Sequence, residues 1–571
     1  MSNPSPAKEW PVSMQKESTV VNLLPVTSAS KILPHTKEAG DPYYDGDVYD
    51  AVPLAISKEW EINMVDYPYL QFIKSISTAW PHLRYLADFM EVSTIPLKWE
   101  VIRNNKAERQ DRAQRTNISI LDSSYTGTTL YKNRVTKWDE LKMSLEVRLV
   151  ENTALRLILV EDLSRQVIEI LGAKFDIDPN FFRDHIDDYS WYNIRDRWMV
   201  PTNLTASVWR QKWIRVRFVR PRYFRTKELL QKAREESARF NIYRRPEDDL
   251  NQWPEIDGEG VVGLTRTKVS MWVDHSSSEN SQTIGVILVD PTVKEGYPMW
   301  YGYRNWAPTP SFHNRLKPPP HGPPRTSLFE DLDYWIRNNS QFSSSENSSY
   351  GVPAIIALEP MISLICGEWL IICEYIKTRL GQIEWRLNYP NEFRVDSDLV
   401  HLSLSRVHMW QRLIPLYREM VSEALSSTVT LVSAVNTGIS NGDKNSVSSV
   451  TVDLEEVLKK LTELERRNEK IMGAIATVIS IEDTRIGLRD NKNMGRLTWL
   501  ATIFLPLTYV TGLFSMQTDI TALRTTFYWY FGIAIPVTLA ALLVAVYLNR
   551  YSERAKRTLP RMENFSIKKN N

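Results

Sequence analysis

Cysteine is nearly missing from this chain, with only Cys366 and Cys373 in 571 residues. Two thiols build neither a disulfide framework nor a thiolate metal cage, and in their apolar surroundings they read as core residues. Histidine is also sparse. The eight present are scattered, and His401 and His408 share one amphipathic segment as packing or surface residues. No P-loop, GxGxxG, HExxH or GxSxG arrangement occurs, so no catalytic centre and no cofactor are expected. An excess of either charge is missing too: Lys and Arg total 70 against 68 Asp and Glu, a net charge of +2. The only basic run with interleaved aromatics, WRQKWIRVRFVRPRYFR at 209–225, alternates as a half-exposed strand does, so no nucleic-acid partner is expected. The first residues, MSNPSPAKEWPVSMQKES, lack both the apolar core of a secretory signal and the acid-poor character of a mitochondrial presequence.

Charge itself is absent from two windows near the C-terminus. Residues 497–518 and 525–549 contain no Asp, Glu, Lys or Arg. Each supplies the roughly twenty apolar residues with which a helix rising 1.5 Å per residue crosses about 30 Å of hydrocarbon. The second window shows no polar face and has aromatic residues at both ends, Phe527 to Tyr530 and then Tyr547, as membrane interfaces favour. Arg485, Arg489, Lys492 and Arg496 precede the pair; Arg550, Arg554, Lys556, Arg557 and Arg561 follow it; the connecting loop holds only Arg524. That asymmetry predicts an integral membrane protein in the lipid bilayer with both termini cytoplasmic. The missing presequence favours the plasma membrane over the mitochondrial inner membrane.

The remainder divides by texture into a variable, partly disordered extension at 1–90, an α/β domain at 91–345, a long-helix stalk at 346–496, the hairpin of two transmembrane helices at 497–550 and a basic tail at 551–571. Short β-like runs at 118–122, 154–162, 212–219, 267–274 and 283–290 alternate with helical spacing, notably a helix–turn–helix over 163–186. A proline-rich loop at 305–325 closes the α/β domain. Beyond residue 354, apolar residues recur at threes and fours over long stretches.

Within the first span a second pattern appears. Stepping back from Ser515 by alternate threes and fours selects Gly512, Thr508, Leu505, Ala501, Leu497 and Met494, a seam of period 3.5 such as a helical bundle turns toward its axis. Its lining runs from polar (Ser515, Thr508) to apolar (Leu505, Leu497, Met494), and apolar rings close a pore by dewetting. Further back the same register reaches Asp490 and Asp483, while Leu454, Leu461 and Ile475 mark a separate apolar stripe.

The passage RDNKNMGRLTWLATIFLPLTYVTGLFSMQ at 489–517 resembles the "LTxxTxxFLPLTxxTGxFGMN" passage of the CorA-type divalent cation transporters. LGAKFDIDPNFFRDHI at 171–186 is similar to a helix–turn–helix of fungal CorA-like sequences. The resemblance implies a cytosolic α/β domain, long helices leading into the first span, a homopentamer, and Mg²⁺ or a similar divalent cation as substrate and regulator. Where that family has Gly-Met-Asn, this chain has Ser515, Met516 and Gln517, which keeps the methionine and an amide but loses the glycine. A ring of side-chain amides accepts hydrogen bonds from the water shell of an ion that dehydrates reluctantly. Ser515, Met516 and Gln517 are therefore the expected ion filter, with Asp519 at the outer mouth. By the same resemblance Asp483 and Asp490 are candidates for a regulatory cation site between subunits, ahead of Asp176 and Asp178. The altered filter keeps a second reading open, a non-conducting membrane-anchored scaffold or regulatory homologue.

Overall fold

A computed structural model describes residues 64–95, 105–124, 128–147, 152–187, 203–253, 257–274, 282–307, 311–314, 322–338, 355–388, 397–436, 444–515 and 523–558, with the single positions 62, 102 and 309. It divides into two units, residues 1–390 with 401–472 and residues 391–400 with 473–571.

The centre of the first unit follows from two strands with almost no polar face. Leu155–Glu161 (β3, LRLILVE) and Thr283–Val289 (β7, TIGVILV) are rich in branched aliphatic residues, nearly every one buried, and they pair in parallel. Parallel strands need cover on both faces, which is why such runs read as continuous rather than alternating. The other ladders are antiparallel. Ile118–Ser123 (β1) joins β3 to Thr129–Val135 (β2), while Val261–Asp274 (β6) joins β7 to Trp213–Phe224 (β4). Two short strands, Glu247–Asp248 (β5) on β6 and Tyr297–Pro298 (β8) on β4, complete an eight-stranded mixed sheet in the order β2-β1-β3-β7-β6-β4-β8. β2 escapes a sequence reading because TLYKNRV is a largely exposed edge with little apolar alternation.

Helices Pro68–Ile76, Arg84–Val92, Arg165–Phe175 and Pro179–Ile186 share one hydrophobic core with β3 and β7, built on Leu70, Phe89, Leu171, Phe181, Ile158 and Leu288. The folded domain therefore starts before residue 91, because the apolar faces of the first two helices are part of this core. Glu169 fixes the first helix, accepting from the Tyr69 and Leu70 amides at 2.6 and 3.0 Å where a helix N-terminus attracts negative charge. The two helices also approach closely, since a Cβ on Gly172 would meet the Tyr69 ring at 2.4 Å. The expected helix–turn–helix is present, and its turn uses both acids considered as cation ligands. Asp176 takes the left-handed C-cap at φ 49°, and Asp178 is the N-cap, accepting from the Asn180 amide at 2.8 Å.

Three of the long helices expected in the stalk contribute to the same unit, the third with its first part. Ile355–Asn388 has the length and mean hydropathy (1.8) of a membrane span, yet 83% of its apolar window is buried, so it is a core helix. Glu423 of helix Ser397–Asn436 accepts from Arg215 and Arg217 on β4. Helix Lys444–Phe514 buries Leu454, Val457, Leu461, Leu464 and Ile471, which is the apolar stripe expected of it. Arg467 adds a forked contact to Glu384 at 2.8 and 2.5 Å.

Candidate functional site

The second unit contains the end of helix Lys444–Phe514 and the helix Leu523–Thr558. Phe527–Tyr547 has mean hydropathy 2.1 and is only 6% buried, an apolar surface that no water-facing helix would keep. The preceding helix is similar: Leu497, Leu500, Phe504, Leu505, Tyr509 and Leu513 are all more than half exposed. Hydroxyls in this stretch are satisfied within the helix. Thr498, Thr502, Thr508 and Thr511 each donate to the carbonyl four residues back, at 2.5–2.8 Å. In hydrocarbon each polar group needs such an internal partner. Pro506 withholds the amide that would have bonded the Thr502 carbonyl, which marks the place where this helix can bend.

The two helices meet along one stripe each. On the first, Val510 is buried and Thr502, Pro506 and Leu507 are half-buried; on the second, Ala534 is buried and Tyr530, Thr538, Ala541 and Ala545 are half-buried. Small residues allow close backbone approach, and the Thr511 and Tyr530 hydroxyls share a hydrogen bond of 3.1 Å. The seam residues Met494, Leu497, Ala501, Leu505, Thr508, Gly512 and Ser515 are all exposed. At about 100° per residue they lie roughly opposite the stripe that packs on the second helix. That face is therefore left available. The helix runs to Phe514, and the Ser515 amide just beyond it donates to the Thr511 carbonyl at 2.9 Å. Met516, Gln517 and Asp519 lie outside the described residues.

Asp483 and Asp490 are exposed. Among the described residues no three His, Cys, Asp or Glu side chains converge as a metal cage. Sequence reasoning missed the packed stripe on the second helix. Its signal was the spacing Tyr530, Ala534, Thr538, Ala541, Ala545, which a uniformly apolar window conceals.

A mixed α/β domain, long helices and an exposed apolar helix pair define an integral membrane protein. Residues 362–550 match the family model of the CorA-like Mg²⁺ transporter protein. Among solved structures, the complete CorA magnesium transporter from Methanocaldococcus jannaschii is similar at 11% identity and a TM-score of 0.36, covering 75% of this chain and 96% of that one. The full-length CmaX protein is similar at 11% identity and a TM-score of 0.32, covering 74% of this chain and 98% of that one. No curated protein matches the chain.

Proposed function

We propose that the chain is one subunit of a homo-oligomeric channel, a pentamer by analogy with its family, that passes a hydrated divalent cation of the Mg²⁺ type. One observation carries the reading: the seam from Met494 to Ser515 stays exposed while the opposite stripe of the same helix packs on its hairpin partner. A ring of such helices needs a free face of small, polar and apolar residues in that order. Copies assembled around the seam place Thr508, Gly512 and Ser515 toward the outer end and Leu505, Ala501, Leu497 and Met494 as the inner constriction, which closes by dewetting. Ser515, Met516 and Gln517 form the filter, Gln517 offering the amide that a hydrated ion requires. Asp519 gathers cations at the mouth, and Asp483 and Asp490 face the axis below as acceptors for a regulatory cation. Both termini are cytoplasmic, and the plasma membrane is the favoured site.

The test is reconstitution of the full chain in liposomes loaded with a Mg²⁺-sensitive dye, alongside a subunit count by cross-linking. A pentamer that admits Mg²⁺ or Co²⁺ supports the reading. A monomer, or a silent pentamer, favours the membrane-anchored scaffold instead. Replacing Ser515-Met516-Gln517 by Gly-Met-Asn is expected to change ion preference; unchanged flux and preference would remove these residues from the filter.

A further inference from the structure

Residues 297–303 carry four aromatic side chains, and none of them is buried. Tyr297 is 51% exposed, Trp300 42%, Tyr303 68% and Tyr301 fully. β8 ends the sheet on the β4 side, so the segment stands at the sheet's outer edge. It is anchored from beneath. Arg222, buried in β4, donates to the Glu295 and Gly296 carbonyls at 3.0 and 2.9 Å, and Arg325 Nη1 donates to the Tyr303 carbonyl at 2.7 Å. The Tyr303 amide closes a turn on the Trp300 carbonyl at 3.0 Å.

The turn itself is strained. Trp300 and Tyr301 both take left-handed backbone, at φ 48° and 54°, followed by Gly302 at φ 70°. For bulky side chains that conformation is an outlier, kept where the surroundings impose it and common at functional surfaces. The area at stake is large. Covering the four rings would take roughly 400–650 Å² out of water, at about 150–250 Å² for a fully buried aromatic. That is half or more of the roughly 800 Å² each partner contributes to a standard protein interface. Tyr and Trp are also the side chains that anchor the centres of such interfaces. Charge around the loop is mixed, with Arg225 and Lys294 beside Glu236 and Glu295, so nothing there selects a polyanion or an anionic bilayer surface.

We propose that the 297–303 loop docks on the α/β domain of a second copy of this chain, with the Tyr301 ring as the central anchor and Tyr297, Trp300 and Tyr303 around it. The inference rests on the homo-oligomer of the proposed function and does not depend on whether the hairpin conducts. In a ring of identical subunits each copy meets its neighbour through two different surfaces, so the loop of one copy needs no matching loop on the next. Holding the rings on a strained, anchored turn fixes their positions before association, which lowers the ordering cost of docking.

The full chain is purified in detergent with p-benzoylphenylalanine in place of Tyr301 and irradiated. The expected product is two chains joined, with the linkage mapped by mass spectrometry to the α/β domain of the second copy. Tyr301→Gly removes the ring and suits the left-handed backbone. It is expected to raise the concentration at which the oligomer dissociates roughly tenfold or more, while the dissociated chain melts at the parent's temperature or higher. A ring that served only the fold of its own subunit would lower that temperature instead. A parent chain that counts as a monomer removes the homo-oligomer and this contact together. An oligomeric parent whose residue 301 links only within its own chain, or not at all, overturns the contact alone. So does a Tyr301→Gly chain that dissociates where the parent does or melts below it.

Discussion

Replacing Asp290 by Asn should unfold the α/β unit at markedly lower temperature, although the side chain changes by a single heavy atom. Asp290 sits at 0% exposure where β7 ends, and its Oδ2 accepts from Arg244 Nε at 2.6 Å and from the Lys268 amide at 2.7 Å. Arg244 also donates to the His185 and Asp187 carbonyls at 2.7 and 2.6 Å, and its ion pair with Asp290 gives it a buried counter-charge. His185 supplies none. Burial, followed by the nearby Arg244 and Lys268, holds its pKa well below the ordinary value, and the ring is neutral. Burial also pushes the Asp290 carboxyl up, with Arg244 offsetting only part of that. The pair is therefore a small net source of stability that is expensive to break. Removing one member of such a pair costs about 3–5 kcal/mol. A domain of 150–250 residues moves roughly 2–4 °C per kcal/mol and a larger one less, so Asp290→Asn should melt about 5 °C lower or more. Tryptophan emission of the full chain in detergent, followed through a temperature ramp, reads this directly. A double variant, Asp290→Leu with Arg244→Met, removes both charges and should recover most of the loss. A single variant melting within about 2 °C of the parent, or a double variant as unstable as the summed singles, would refute the reasoning.

Asp88, buried in helix Arg84–Val92, has its carboxyl pushed up to about 7, first by burial and then by Glu91. A carboxyl whose folded-state pKa lies above its unfolded value costs nothing while protonated; the cost begins near pH 4 and is complete above about 7. Stability should thus fall by up to about 1.4 kcal/mol per pH unit across that window. Asp88→Asn should flatten the slope of the urea midpoint between pH 5 and 8, and an unchanged slope would show that Asp88 ionises freely. Tyr530→Phe removes the hydroxyl bonded to Thr511, and unfolding in mixed micelles should register a loss of about 0.6 kcal/mol, up to about 1.7. No shift would mean that the helices do not meet there in lipid. The exchange of Ser515-Met516-Gln517 for Gly-Met-Asn should alter ion preference in the liposome assay while leaving the subunit count unchanged.

The parts of this protein set by local chemistry were legible along the chain. The uncharged windows announce the hairpin because hydrocarbon admits little else, and β3 and β7 announce a doubly covered sheet because both faces are apolar. The seam from Met494 to Ser515 and the stripe Leu454, Val457, Leu461 were visible because helical periodicity is fixed at 3.6 residues per turn. What neighbours decide was hidden. TLYKNRV becomes a strand because β1 offers an edge, and Pro68–Ile76 is placed in the core by apolar partners and by Glu169, 100 residues away, which caps its amides. Ile355–Asn388 reads like a membrane span and is instead a buried helix, a distinction made by β4 and helix Leu328–Arg337 lying against it. The alternation of β4 suggested that its arginines face water, yet Arg220 and Arg222 lie inside. Burial of a charge depends on which carboxylates and carbonyls the fold brings to it, and those come from Glu368 and the 294–296 and 326 backbone, far off in sequence. The sequence alone determined where the chain is apolar and with what period; the tertiary structure decided which polar groups have partners.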